Sequence, residues 1–153
     1  MTQLTPHFTL EEMIASETAD RHNIDNTPSA EHLANLERLA RFLEDVKAAL
    51  GGKPVMINSA YRGPAVNDKV GGSKSSQHMV GCAADIRIPG MSPDEVCRAI
   101  IAAGLPYDQI IREFWDPEKK AGGWTHISVP NEAGSTPRKQ ALIIDKQGTR
   151  PFV

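Results

Sequence analysis

The longest regular pattern in the chain is a stripe of apolar residues, Leu33, Leu36, Leu39, Ala40, Leu43, Val46 and Leu50, spaced mostly by three and four. That period matches an α-helix with one core-facing side. Thr27 or Ser29, in the turn-rich stretch Asp25-Asn26-Thr27-Pro28-Ser29, can cap its start, and Gly51-Gly52 stops it. A shorter helix is predicted over Thr9 to Ile14, where Thr9 as N-cap and Glu12 three residues on complete a capping box, and Leu10, Met13 and Ile14 form the apolar face. A third helix begins with Ser92 at the N-cap, Pro93 at the first helical position and Glu95 at the third. It presents Val96, Ala99, Ile100 and Ala103 on one side and closes at Gly104.

Between and after these helices the pattern changes to short β-type runs: Pro54 to Ser59, Cys82 to Ile88, Tyr107 to Phe114, Trp124 to Val129 and Gln140 to Asp145. In the third of these, alternation places Gln109, Ile111 and Glu113 on one face and Ile110, Arg112 and Phe114 on the other. Each face mixes apolar and charged residues, so periodicity does not choose the buried one. Pro64 biases Gly63 away from helix and predicts an irregular exit loop after the first strand. Residues 115–123 read as a long hairpin loop, Lys146-Gln147-Gly148 as a turn, and the tail from Pro130 to Val153 as scaffold. The sum is an α+β fold, a small and mainly antiparallel sheet with the long helix and the Ser92 helix packed on it.

A chain of 153 residues suits a single domain, 1–153, with a core large enough to need no cross-links. Its 17 Lys and Arg against 19 Asp and Glu leave a formal charge of −2, so neither nucleic acid nor a membrane surface is an expected partner. A monomer is expected. The start, Met1 to His7, lacks the basic residues and apolar run of a secretory leader, and no stretch approaches a membrane span. Synthesis in the cytoplasm is therefore expected, with delivery by another agent if the protein acts outside the cell. Cys82 and Cys97 read as small buried apolar residues without a disulfide.

Candidate chemistry gathers in Ser76-Gln77-His78-Met79-Val80-Gly81-Cys82-Ala83-Ala84-Asp85-Ile86 and in Trp124-Thr125-His126-Ile127-Ser128. His78 and Asp85, seven residues apart, fit neither one helix face nor one strand face, so the chain must bend between them, and Gly81 is where it can. Asp85 would then lie beside His78, with His126 arriving on a second strand. Two imidazoles and a carboxylate suit zinc with a fourth position left to water. A histidine in a short strand is more often an ordinary hydrogen-bonded residue, and H-x6-D recurs by chance. The small residues around the pair and the second histidine bring the two readings level. His7, His22 and His32 have no second ligand at metal spacing and read as solvated polar positions, and Gly71 to Ser76 is a polar loop without the order of a phosphate cradle. Arg62, at a strand end, is either a surface salt-bridge partner or a planar fork for a carboxylate.

The same residues also carry a family resemblance. S-x-H-x-x-G-x-A-x-D, here Ser76, His78, Gly81, Ala83 and Asp85, followed by W-x-H-x-S, here Trp124, His126 and Ser128, resembles the zinc D-Ala-D-Ala carboxypeptidase and L-alanyl-D-glutamate endopeptidase family. That family's fold is related to lysostaphin-type peptidases and the Hedgehog signalling domain. Ser59-Ala60-Tyr61-Arg62-Gly63-Pro64 with Asn67 and Gly71-Gly72, and the opening Phe8 to Met13 with Asp25 to Pro28, are similar as well. The resemblance implies zinc on His78, Asp85 and His126, Arg62 as a substrate anchor in the cleft, and Ser76 and Gln77 beside the substrate. Some members keep a catalytic Glu as E-x-x-H, where this chain has Gly123. Another branch carries Q-x-I-x-E…W-x-H, matched by Gln109, Ile111, Glu113, Trp124 and His126, which makes Glu113 the expected base and leaves Asp116 and Glu118 to solvent. The implied activity is zinc-dependent hydrolysis of the peptide stem of peptidoglycan, as carboxypeptidase or endopeptidase, in a member of the bacteriophage lysis type. A non-catalytic zinc-binding structural or interaction domain of the same fold is the alternative.

Overall fold

The computed structural model describes residues 2–153. The chain opens with β1 (Gln3–Thr5) and β2 (Phe8–Thr9), a small antiparallel pair too short to leave a periodic trace. The predicted capping box then starts α1 (Leu10–Ile14): the Glu12 N–H donates to Thr9 Oγ1 at 3.2 Å, and the Thr9 N–H donates to Glu12 Oε1 at 2.7 Å. A further short helix, α2 (Glu17–Arg21), follows under a Ser16 cap. Of the two candidate caps for the long helix the structure uses Ser29, whose Oγ accepts from the His32 N–H, and α3 spans Ala30–Ala49. Its stripe buries Leu36, Leu39, Ala40, Leu43 and Val46, with Phe42 beside them, whereas Leu33 in the first turn is only partly covered.

The main sheet follows: β3 (Met56–Ser59), β4 (Ala83–Arg87), β5 (Gln109–Glu113), β6 (Trp124–Ser128), β7 (Gln140–Asp145) and β8 (Gly148–Pro151), in the spatial order β3-β4-β6-β5-β7-β8. Every neighbouring pair is antiparallel except β5 with β7. The exception has a geometric reason. Antiparallel pairing brings the Ser128 end of β6 next to the Gln109 end of β5, so a strand starting there and lying beyond β5 must run with it. The sheet is therefore mixed, and the tail expected to be scaffold supplies two of its strands.

The chain leaves β3 through a short irregular exit, residues 60–63, as expected, but the exit is brief because Pro64 begins α4 (Pro64–Lys69) at its first helical position. There proline's missing N–H is no loss and its fixed φ already suits a helix, while Gly63 stays extended at φ −57°, ψ 166° as the residue before proline should. The third predicted helix forms as α5 (Pro93–Ala102), with Ser92 and Glu95 in a full capping box.

The two faces of the sheet have different tasks. Ala84, Ile86, Ile110 and Ile127 pack with the α3 stripe and with Val96, Cys97 and Ile100 of α5 in one core cluster. Packing settles the ambiguous strand: Ile110 and Arg112 lie on this helix-covered face, where the Arg112 guanidinium donates to Asp94 of α5 at 2.7 Å and sits over the Trp115 ring. Gln109, Ile111 and Glu113 point to the opposite face, as do Asp85 and His126. On that open face the chain between α4 and β4 folds down as a 3₁₀ turn (Gln77–Val80) that ends at Gly81 with φ +80°. A side-chain carbon at Gly81 would lie 2.8 Å from the His32 carbonyl oxygen of α3, so the turn both needs a left-handed residue and touches the long helix.

Gly81→Ala should therefore lower the unfolding free energy by about 2 kcal/mol, combining the left-handed penalty with the contact to α3. Urea denaturation reads it. An unchanged midpoint would mean that the turn relaxes at no cost.

Candidate functional site

Asp85 and His126 are directly opposite each other in the β4–β6 register, so their side chains rise together from the open face. His78 reaches the same point from the 3₁₀ turn. His126 Nδ1 is 3.2 Å and His78 Nε2 3.4 Å from the same oxygen, Asp85 Oδ1, and the two imidazole rings stand edge to face with centroids 5.2 Å apart. All three are buried, at 2%, 8% and 9% exposure for His78, Asp85 and His126, and one ligand atom from each lies within 4.8 Å of the others. Among the described residues no other such group of His, Cys, Asp and Glu forms.

The hydrogen-bond pattern tests whether a cation fits. The other ring nitrogen of His78, Nδ1, is 2.6 Å from the Ala60 carbonyl oxygen, which can only accept, so Nδ1 carries the proton. In the neutral ring, Nε2 then presents a lone pair to Asp85. Burial holds the His78 pKa below its ordinary value and so favours that neutral ring. Burial opposes ionisation of Asp85 too, but the hydrogen bond from His126 outweighs it, and the carboxyl lies far below its usual range. A neutral imidazole nitrogen facing a carboxylate oxygen at this distance is a pair of acceptors that a shared cation reconciles. Two nitrogens and one oxygen, with the His78 tautomer set by a backbone carbonyl, is the donor set and outer support of an open divalent metal site.

A cleft of about 450 Å³ opens over these three groups and includes Glu113, Arg62, Ser76, Gln77 and Trp124. Glu113 comes from the end of β5. Burial pushes its carboxyl pKa up and the charge of Asp85 adds to the shift, while its Oε2 accepts a 2.7 Å hydrogen bond from the Trp124 indole N–H. A carboxyl with raised proton affinity beside a metal site is suited to carrying a proton. The Arg62 side chain, also partly buried, makes no hydrogen bond or ion pair among the described residues, and its Nε is buried without a partner. Burial pulls its pKa down, with Asp85 and Glu113 opposing, and a half-desolvated guanidinium with open donors can take an anionic group.

Ser76 and Gln77 line the cleft in different ways. Ser76 Oγ accepts from the His78 N–H at 3.2 Å and so shapes the turn. The Gln77 amide nitrogen faces inward to the Val129 carbonyl, Asn131 Oδ1 and Asp108 Oδ2 at 2.9–3.2 Å, which commits it to the scaffold. Asp108 in turn receives Arg138 Nε at 3.0 Å and Nη2 at 2.8 Å. Arg138, Leu142 and Ile144 also line the cleft. The sequence reading had placed them in scaffold, since nothing local shows that their strand lies beside β5. His7, His22 and His32 stand apart from the cluster: His7 pairs with Glu44, and His32 with the Tyr61 hydroxyl. A larger cavity of about 930 Å³, lined by Met56, Arg87, Pro93 and Trp115, contains none of the three candidate ligands.

An open two-histidine, one-carboxylate cluster with a carboxyl of raised proton affinity and an unpartnered guanidinium in the same cleft has the donor set and surroundings of a metallohydrolase site. The peptidase M15 family model matches residues 6–113, and the chain belongs to that family. The zinc D-Ala-D-Ala carboxypeptidase of Streptomyces albus G is 41% identical over 44 residues, which cover 29% of this chain and 17% of that protein. The matched stretch thus spans less than a fifth of that relative. The family match ends at Glu113, before His126, so the third candidate ligand rests on the strand register.

The ion pair behind the Gln77 turn has a pH signature. Burial raises the Asp108 carboxyl but the Arg138 bonds outweigh it, so its folded pKa lies below the ordinary value. A depressed carboxyl stabilises the fold in full above its unfolded pKa, about 3.9, and ceases to as pH falls through the folded value. Arg138→Met should cost about 1 kcal/mol at pH 7, water screening of the exposed guanidinium included, and the gap to wild type should close below about pH 4. Urea titrations at pH 7, 5 and 3 follow it. A gap that is the same at pH 3 as at pH 5 would assign the effect to packing.

Proposed function

We propose that this peptidase is zinc-dependent and hydrolyses an amide bond in the peptide stem of peptidoglycan. The observation that carries the reading is the convergence of His78, Asp85, His126, Glu113 and Arg62 on one cleft from separate parts of the chain. His78 through Nε2, Asp85 through Oδ1 and His126 through Nδ1 are the residues that would hold zinc. When bound there, zinc supplies a Lewis acid for the scissile carbonyl and makes a water acidic near neutral pH.

The rest of the chemistry belongs to the protein. Glu113 keeps Oε2 on the Trp124 indole, which leaves Oε1 to take the proton of the attacking water and hand it to the leaving amine nitrogen. Arg62, with no partner of its own, binds a carboxylate of the substrate and fixes the peptide in register. Stem peptides carry free carboxylates, and the relative whose name specifies D-Ala-D-Ala cleavage supports this substrate class. Both carboxypeptidase and endopeptidase action fit such a cleft. A lysis enzyme of the bacteriophage type is consistent with this chemistry once the protein reaches the wall.

The reading predicts that purified protein digests peptidoglycan, that a chelator abolishes the activity, and that zinc restores it. Mass spectrometry of the released peptides identifies the bond cut. Protein that binds zinc and leaves the wall unchanged would instead be a binding module. Glu113→Ala should keep one zinc per chain and lose about 10²- to 10⁴-fold in kcat, the usual contribution of a general base. Arg62→Ala should keep zinc and lose mainly in kcat/KM; full turnover in either variant removes the role given to that residue.

A further inference from the structure

We infer that Trp124 is a positioning residue for the reaction: its indole N–H holds Glu113 Oε2 so that Oε1 is the oxygen presented to the substrate. This inference rests on the catalytic role proposed for Glu113 and adds the device that aims it.

The device is built from three neighbouring features. Glu113 and Trp124 are a cross-strand pair of β5 and β6, so their side chains leave the sheet together on the cleft side. The Nε1 to Oε2 distance is 2.7 Å, the length of a strong hydrogen bond to a charged acceptor. A glutamate has three rotatable bonds, and one fixed oxygen removes most of that freedom, which is what a proton carrier needs to stay within reach of its water.

The indole does not depend on the carboxylate for its own place. Phe114 packs against it with ring centroids 5.7 Å apart, and does so from a left-handed backbone at φ +54° while remaining 49% exposed. A bulky residue holds that conformation only where its surroundings enforce it. Beside it Gly123, at φ +74°, lies so close to the Glu113 carbonyl and the Trp115 N–H that no side chain fits there. The end of the hairpin is thus closely packed around Trp124. A donor fixed by packing, facing a flexible acceptor, makes the tryptophan the fixed member and Glu113 the member that is set.

Trp124→Phe keeps the ring and removes the N–H. On peptidoglycan fragments the zinc-loaded enzyme should lose roughly 10- to 100-fold in kcat, the usual cost of an outer-shell partner, with KM and zinc content unchanged. In a Glu113→Ala background the same substitution should cause no further loss, because the tryptophan acts only through that carboxylate. A similar loss in both backgrounds, or a loss of zinc, would overturn the inference. A second measurement is independent of turnover. The chain has two tryptophans, so two indole N–H signals appear in a nitrogen-proton spectrum. Glu113→Ala should shift the Trp124 signal upfield and speed its exchange with solvent, leaving the Trp115 signal in place. An unmoved Trp124 signal would show that no such bond exists, whatever the enzyme does to the wall. A Glu113→Ala protein with full activity would instead defeat the catalytic reading itself.

Discussion

The structure depends on one electrostatic arrangement: a carboxylate and two imidazoles face each other where little water can reach them. Such a cluster is costly unless something positive joins it. The neighbours of the cluster favour a neutral His78 ring and a charged carboxylate. The Ala60 carbonyl accepts a hydrogen bond from His78 Nδ1 on the far side of the ring, burial discourages a second proton there, and the His126 bond holds Asp85 ionised. The same arrangement explains why the chain spends a left-handed glycine at position 81, where the contact with α3 makes the turn bearing His78 part of the core packing.

Around that centre the cleft is graded in charge. Arg62 lies within the field of both Asp85 and Glu113 without bonding to either, so attraction keeps it nearby while its donors stay open for a ligand. Glu113 feels the opposite influence from Asp85, which disfavours its charge and raises its affinity for a proton. One carboxylate is thus held ionised by its bond from His126, and another nearby in the sheet is made receptive to protons by burial. Two environments produce two roles from one chemical group.

The mixed sheet brings in what a purely antiparallel one would not. Placing β7 beyond β5 and parallel to it carries Leu142 and Ile144 to the cleft wall and puts Arg138 against Asp108. Asp108 and Arg138 then engage Gln77, the residue before His78, so the tail of the chain braces the metal-side turn. The tail is structural in origin and still shapes the site.

The sequence by itself determined whatever depends on neighbours three or four residues away. The stripe of α3, the capping boxes at Thr9 and Ser92, and the need for a bend at Gly81 are local matters of period, hydrogen bonding and backbone freedom. The motif around His78, Asp85 and His126 pointed to a metallopeptidase through its resemblance to a known family, because residue type and spacing alone left a metal site level with ordinary hydrogen-bonded side chains. Only the tertiary structure decided which face of β5 looks into the cleft, because both faces mix charged and apolar side chains and the choice belongs to α5, which pairs Arg112 with Asp94. It alone turned Gln77 inward, started a helix at Pro64, and brought Arg138 to the rim. These outcomes follow from pairing between strands far apart in the chain, and the free energy of such pairing resides in contacts that no short stretch of residues contains.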